Sequence, residues 1–420
     1  MNISKDGESY DLLVVGGGAA GFFGAIAFAE AKPGARTLIL ERGKEVLEKV
    51  RISGGGRCNV THACFVPKEL AKNYPRGEKE LVGPFHKFAP GDTIAWFEQR
   101  GVPLKIEPDG RMFPVSDQSR SIVDCLLRAA EKAGVEVRTG ARVSGFSSVS
   151  GPEGNWRVEL GDGTALFARA LLVAAGSSTS VWALLRELGH GIEPPVPSLF
   201  TFNIRDARLE GLAGLSVPRA IVSVPGTALR AEGPLLVTHW GMSGPGVLRL
   251  SAWGANILHE RQYRFELCVD WTGLGSPRAV AEEMQGYKSA HGKRAVAAHP
   301  LFGLPARLWE RLVLAAGIPE QTRWADTNKA QLSALADQLA QGKYPVSGKS
   351  TFKEEFVTAG GVSRKEVDFK TFQSKLHPGL FLAGETLDID AITGGFNFQA
   401  AWTGGYLAGR AIAELLRAPA

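Results

Sequence analysis

Two short aliphatic runs, DLLVV at Asp11–Val15 and RTLIL at Arg36–Leu40, lack polar alternation, which marks strands buried on both faces. Between them, Ala19–Ala31 is apolar and helix-forming, and Pro33 with Gly34 closes it. Strand, helix, strand predicts a βαβ unit in a parallel sheet. Further on, Ile122, Leu126 and Ala130, with Val123 and Leu127 beside them, give helical spacing over Ser119–Ala133, and Gly134 stops it. Thr93–Arg100 also reads as helix. Val135–Arg138 and Ala141–Phe146 read as strands. Trp156–Leu160 and Ala165–Ala168 flank a Gly161-Asp162-Gly163 hairpin turn, and Ala170–Ala175, ALLVAA, reads as another buried strand. After Pro194, Pro195 and Pro197 the pattern shifts to short strands broken by Gly and Pro. Tyr263–Asp270 reads as a strand, Arg278–Gln341 as helical, Gly379–Ala383 as a buried strand and Gly395–Leu416 as a helix.

Composition leaves this picture intact. Of 420 residues, 44% are hydrophobic and 22% charged, values that exclude extended disorder, and the length calls for two or three domains. The net charge of +5 is spread without a basic run, so a mildly basic solvated surface suffices to explain it; an anionic dinucleotide fits it, whereas nucleic acid would show a denser stripe. Four cysteines without a C-x-x-C pair form no disulfide framework and suit a reducing, cytoplasmic setting. Met1–Tyr10 lacks the order of a signal peptide. Leu12–Ala29 is apolar enough to imitate a membrane span, but Gly16-Gly17-Gly18 breaks it. Cys58, His62 and Cys64 lie close together, yet no second ligand cluster follows, so no metal is expected.

The chemistry concentrates at the two ends. Gly16-Gly17-Gly18-Ala19-Ala20-Gly21 fits G-x-G-x-x-G, with a strand before it and a helix after it. The glycines serve the tight turn, the close approach of a pyrophosphate and helix–strand packing, and the helix N-terminus offers N–H groups to phosphate. Glu41 closes the second strand about 20 residues later, where a carboxylate meets ribose hydroxyls and favours FAD or NAD over NADP. A second glycine turn, Lys49–Thr61, is loaded with donors; an NAD domain has no use for it, whereas the longer FAD does. Arg57, Asn59 and backbone amides there are candidates for the phosphates and the isoalloxazine edge. Gly384-Glu385 follows the late strand, placing an acid for ribityl hydroxyls. Thr393–Gln399 opens the last helix, whose N-terminus suits the flavin C2 carbonyl.

The segments GGGAAG, ISGGGRCNVTH, DGRMFPVS, VTHWGMSGP, TAGGV and PGLFLAGETLDIDAITGGFNFQAAWTGGYLAG together resemble the bacterial aminoacetone-oxidase-type, or BaiN-type, NAD(P)/FAD-dependent oxidoreductases, over nearly the whole chain. The resemblance implies an α/β fold: a Rossmann-like FAD-binding domain interrupted by a β-rich, barrel-like domain carrying a small helical subdomain. The expected bounds are 1–197 for the first part of the FAD domain and 198–277 for the β-rich insert. Residues 278–344 would form the helical subdomain, 345–362 a return strand, and 363–420 the rest of the FAD domain. It implies FAD held by Gly16, Gly18, Gly21, Glu41, Gly55, Arg57, Asn59, Gly384, Glu385 and Asn397; Ala19, Ala20, Arg42, Gly56, Cys58, Val143, Ala175, Gly176 and Phe398 are counted with them. It implies reduction of unsaturated or oxo substrates with NAD(P)H, or amine oxidation with oxygen, and leaves the substrate open.

No second G-x-G-x-x-G is present, so NAD(P)H is expected only as a transient co-substrate. His239 is a candidate proton donor, or a hydrogen-bonded structural histidine. Arg111 is a candidate clamp for a carboxylate or carbonyl, or a surface ion-pair residue. Asp388 and Asp390 would line the turn of Glu385 or cap a helix. The partner is a small molecule; a flavin-binding RNA-modification or regulatory protein, and a flavin-free binding module, are the competing readings.

Overall fold

The computed structural model describes residues 8–149, 155–350 and 357–417. Two compact units divide the chain: Met1–Pro195 with Thr358–Ala420, and Val196–Val357.

In the first unit the aliphatic runs form the middle of a parallel sheet. Ser9–Val15 lies between Thr37–Leu40 and Ala165–Val173 and runs parallel to both; Val135–Arg138 and Leu380–Leu382 extend the sheet in the same sense. Val15 pairs with Leu40 on one side and Val173 on the other, and Val173 pairs with Leu382. These strands therefore end at one level. The loops leaving at Gly16, Glu41, Ala174 and Ala383 emerge side by side, at the carboxyl edge where open α/β sheets take ligands.

The first helix, Ala19–Ala31, packs on the last, Phe396–Leu415, through small residues. A Cβ on Gly405 would lie 2.4 Å from Ala20 O, and one on Gly409 would lie 2.2 Å from Gly24 O. Backbone meets backbone there, so no larger residue fits.

The two runs Ala165–Ala168 and Ala170–Ala175 are not separate strands. Ala165–Val173 is continuous: its first part pairs antiparallel with Trp156–Leu160, and its body pairs parallel with Ser9–Val15. The polar Arg169, exposed between buried neighbours, imitates a break in the pattern. A three-stranded sheet of Thr61–His62, Arg111–Pro114 and Leu104–Ile106 was not foreseen, because strands this short leave no periodicity.

In the second unit a closed barrel runs through Thr201–Ile204, Gly241–Ser243, Arg230–Val237, Ser216–Ser223, Phe265–Asp270 and Gly342–Ser350. Between the last two of these, the helices Pro277–His291, Ala306–Ala315 and Lys329–Ala340 pack around Trp309 and Trp324. Of the return segment 345–362, residues 351–356 fall outside those described. Val357–Val362 pairs with Ile192–Ser198 rather than joining the barrel. The fold is thus α/β, a Rossmann-like domain interrupted by a barrel that carries a helical subdomain.

Candidate active site

The glycine turn sits where the first unit's strands end. Gly16 adopts φ +112°, and a Cβ there would lie 2.4 Å from Ala174 O and 2.8 Å from Ala175 Cα, so only glycine fits. A Cβ on Gly21 would lie 2.0 Å from Gly16 O, whereas the Cβ position of Gly18 has nothing within 4 Å. Gly18 begins the first helix and no side chain caps it, which leaves the N–H groups of Ala19 and Ala20 and the positive end of the dipole turned to open space.

Glu41 is fixed by two backbone donors, Gly17 N at 2.8 Å and Gly43 N at 2.7 Å. Arg42 beside it is exposed. Glu41 O accepts from Ala141 N at 2.8 Å, which brings the buried Val143, at the head of its strand, into the same neighbourhood. Gly384 takes φ +65°, with its Cβ position 3.1 Å from Ala20 Cβ, so the late strand's turn touches the first helix directly. Glu385 sits between Gly176, whose Cβ position is 3.9 Å from its Oε2, and Lys49, whose Nζ donates to it at 2.6 Å.

The second glycine loop is bent by Gly54, Gly55 and Gly56 at φ +59°, +66° and +82°; around the last two nothing lies within 4 Å of a Cβ. Its polar side chains turn to protein groups. Arg57 donates to Glu107 at 2.7 Å, reaches Asp117 at 3.5 Å and lies 3.9 Å over the Phe113 ring, so its guanidinium anchors the loop. Asn59, with its amide oriented to satisfy both neighbours, donates to Thr61 O at 3.1 Å and accepts from Gly395 N at 2.9 Å. Asn397 is spent on the Ala391 backbone, accepting at 2.9 Å and donating at 3.2 Å. Phe398 stacks on Trp402 at 5.5 Å. Cys58 is fully buried at φ +61°, and burial pushes its thiol up to about 12. The backbone N–H groups of this loop are further donors for a ligand.

Contacts between the two ends of the sequence are extensive. Thr61 and Thr93 hydroxyls donate to Gln399 Oε1 at 2.6 and 3.0 Å, and Trp402 Nε1 donates to Val60 O at 2.9 Å. His62 stacks on Phe396 at 4.6 Å, and burial lowers its pKa. Neither Asp388 nor Asp390 caps a helix. Asp390 forms a buried bidentate pair with Arg76; Asp388 pairs with Arg364 and accepts from Gly360 N at 3.1 Å. Burial pushes the Asp388 carboxyl up, against the pull of Arg364. Together these ion pairs hold the turn that leads into the last helix. Arg76, Arg364, Gln399 and Lys49 went unassigned in the sequence because their partners lie far along the chain.

Arg111 is an ion-pair residue, donating to Asp109 at 2.7 Å and to Glu107 at 3.4 Å. In the second unit, His239 is exposed on a turn between two strands, Arg230–Val237 and Gly241–Ser243. Gly241 resumes pairing with Asn203 at once, which the glycine pattern conceals.

A family model described as HI0933-like protein Rossmann domain matches residues 10–411. The chain belongs to this family. Among the HI0933-like chain's relatives, a 3-dehydro-bile acid delta(4,6)-reductase of Clostridium scindens is 30% identical over 96% of this chain and 98% of that protein. A ribosomal RNA dihydrouridine synthase of Escherichia coli is 29% identical over 94% and 96%. The fold is shared with a 3-ketosteroid-delta4-(5alpha)-dehydrogenase of Rhodococcus jostii, at 15% identity, TM-score 0.52 and 98% of each chain. This is a family of FAD-type oxidoreductases, and the residues present fit that cofactor. Gly18, Gly55 and Gly56 leave open backbone where a side chain would intrude, and both helix N-termini at this edge lack side-chain caps.

Proposed function

We propose that the protein is an FAD-dependent reductase that saturates a carbon–carbon double bond conjugated to a carbonyl, with NAD(P)H as reductant. The observation that carries this reading is the meeting of the Gly54–Asn59 loop with the uncapped first turn of the last helix. Backbone N–H groups of that uncapped turn would stabilise negative charge developing on a flavin bound at this edge. FAD, when bound, supplies hydride transfer. Gly16–Gly21 and Glu41 would hold its diphosphate and adenosine ribose, and Glu385, positioned by Lys49, its ribityl chain. His239 is the proposed proton donor: its imidazole has no hydrogen-bond partner among the described residues and is open to exchange with solvent.

The substrate class is supported by what two relatives' names share. A delta(4,6)-reductase of a 3-oxo steroid acid and a synthase of dihydrouridine both saturate a double bond next to a carbonyl. A small enone is the first substrate to test. Uracil within RNA is the second reading, favoured by the near-equal identity of the RNA-acting relative over 94% of this chain.

The test is anaerobic. NADH or NADPH should bleach the yellow holoprotein, and a 4-en-3-one steroid or uridine-containing RNA should restore the colour. Bleaching by a primary amine, with reoxidation by oxygen alone, would replace this reading with an amine oxidase.

A further inference from the structure

The second unit carries an exposed aromatic that its fold holds out rather than covers. Seven of the chain's nine tryptophans are buried; Trp240, 62% exposed, is the most open large apolar side chain among the described residues. Its turn is rigid. Thr238 Oγ1 accepts from Gly241 N at 3.1 Å, Thr238 N donates to Gly241 O at 2.8 Å, and Trp240 O accepts from Ile204 N at 2.9 Å. Gly241 at φ +149° lies so close to the neighbouring strand that a Cβ would fall 2.2 Å from Phe202 O.

The surroundings are cationic. Arg205, next to Ile204, is exposed and has no ion-pair partner among the described residues. Its neighbour Asp206 is neutralised by Arg208, which donates to both carboxylate oxygens at 2.8 and 2.7 Å. The helix Pro245–Trp253 repeats the pairing: Arg249 and the 41% exposed Trp253 stand four residues apart on its open face. Residues 196–357 hold 18 Lys and Arg against 14 Asp and Glu, so four of the chain's five net positive charges belong to this unit.

We infer that the Trp240 turn is a contact surface for single-stranded RNA, with the indole stacking on a base and Arg205 meeting the phosphate backbone. Aromatic faces beside unpaired arginines suit a ligand that alternates flat rings with anions. The inference deepens the RNA reading above and rests on it for the class of partner.

The experiment uses the holoprotein and a short fluorescein-labelled oligouridylate, followed by anisotropy across a KCl series. Wild type should bind, with affinity falling steeply as salt rises. Trp240→Ala should weaken binding roughly tenfold or more, Trp240→Phe should retain most of it, and Arg205→Ala should lower the salt slope by about one. Flavin bleaching by NAD(P)H should be unchanged in all three. Unaltered RNA affinity in Trp240→Ala overturns the inference. So does a wild type that ignores RNA at low salt but binds anionic vesicles. Neither result touches the reductase reading, which fails only if NAD(P)H or the enone does.

Discussion

Asn59 accepts a hydrogen bond from the backbone N–H of Gly395 at 2.9 Å, and so ties the second glycine loop to the first turn of the last helix. One amide thus sets the geometry of two loops from opposite ends of the chain. Asn59→Ala leaves Gly395 N and Thr61 O without this partner and should cost about 1–3 kcal/mol of stability. The measurable outcome is a lower Tm together with weaker FAD retention on gel filtration. Asn59→Asp keeps the acceptor and should fall between the two.

Helix contact at Gly409 is backbone on backbone. Gly409→Ala puts a Cβ 2.2 Å from Gly24 O, so the helices must separate at a cost of about 3 kcal/mol. Gly286 is exposed in the helix Pro277–His291 with nothing within 4 Å of a Cβ, so Gly286→Ala should be neutral or stabilise by roughly 0.5–1 kcal/mol. Thermal unfolding of the pair separates close packing from a general intolerance of substitution.

Cys58, with its thiol pushed up to about 12, stays protonated throughout the physiological range. Native protein at pH 8 should therefore resist alkylation at Cys58 by iodoacetamide and show no thiolate-to-flavin charge-transfer band. Cys64, half-buried, should label faster. Peptide mass spectrometry before and after denaturation reads both outcomes; rapid native labelling of Cys58 would contradict its burial.

His239→Asn removes the proposed proton donor. Turnover of the enone should drop by about 10²–10⁴-fold, while the rate of flavin bleaching by NAD(P)H stays at the wild-type value. A parallel fall in both half-reactions would point to damaged flavin binding instead.

Strands, the first helix and the glycine turn were legible in sequence because they are local: aliphatic runs and a fixed glycine spacing specify backbone geometry within a few residues. So were a β-rich insert, as a change of pattern after Pro197, and the resemblance that named the family. The unbroken strand Ala165–Val173 was misread because Arg169 interrupts a buried run without interrupting pairing. Short strands such as Thr61–His62 carry no pattern to read.

Side-chain roles were less legible. Arg57, Asn59 and Asn397 have the chemistry of ligand donors, and the sequence offers no sign that Glu107, Gly395 and Ala391 engage them. The chain by itself determined which backbone turns exist and that an anionic dinucleotide suits them, since glycine placement and helix termini are properties of short segments. Only the tertiary structure decided which donors remain for a ligand: a polar group's availability depends on partners hundreds of residues away, which the parallel register of Val15, Val173 and Leu382 brings to the same edge of the sheet.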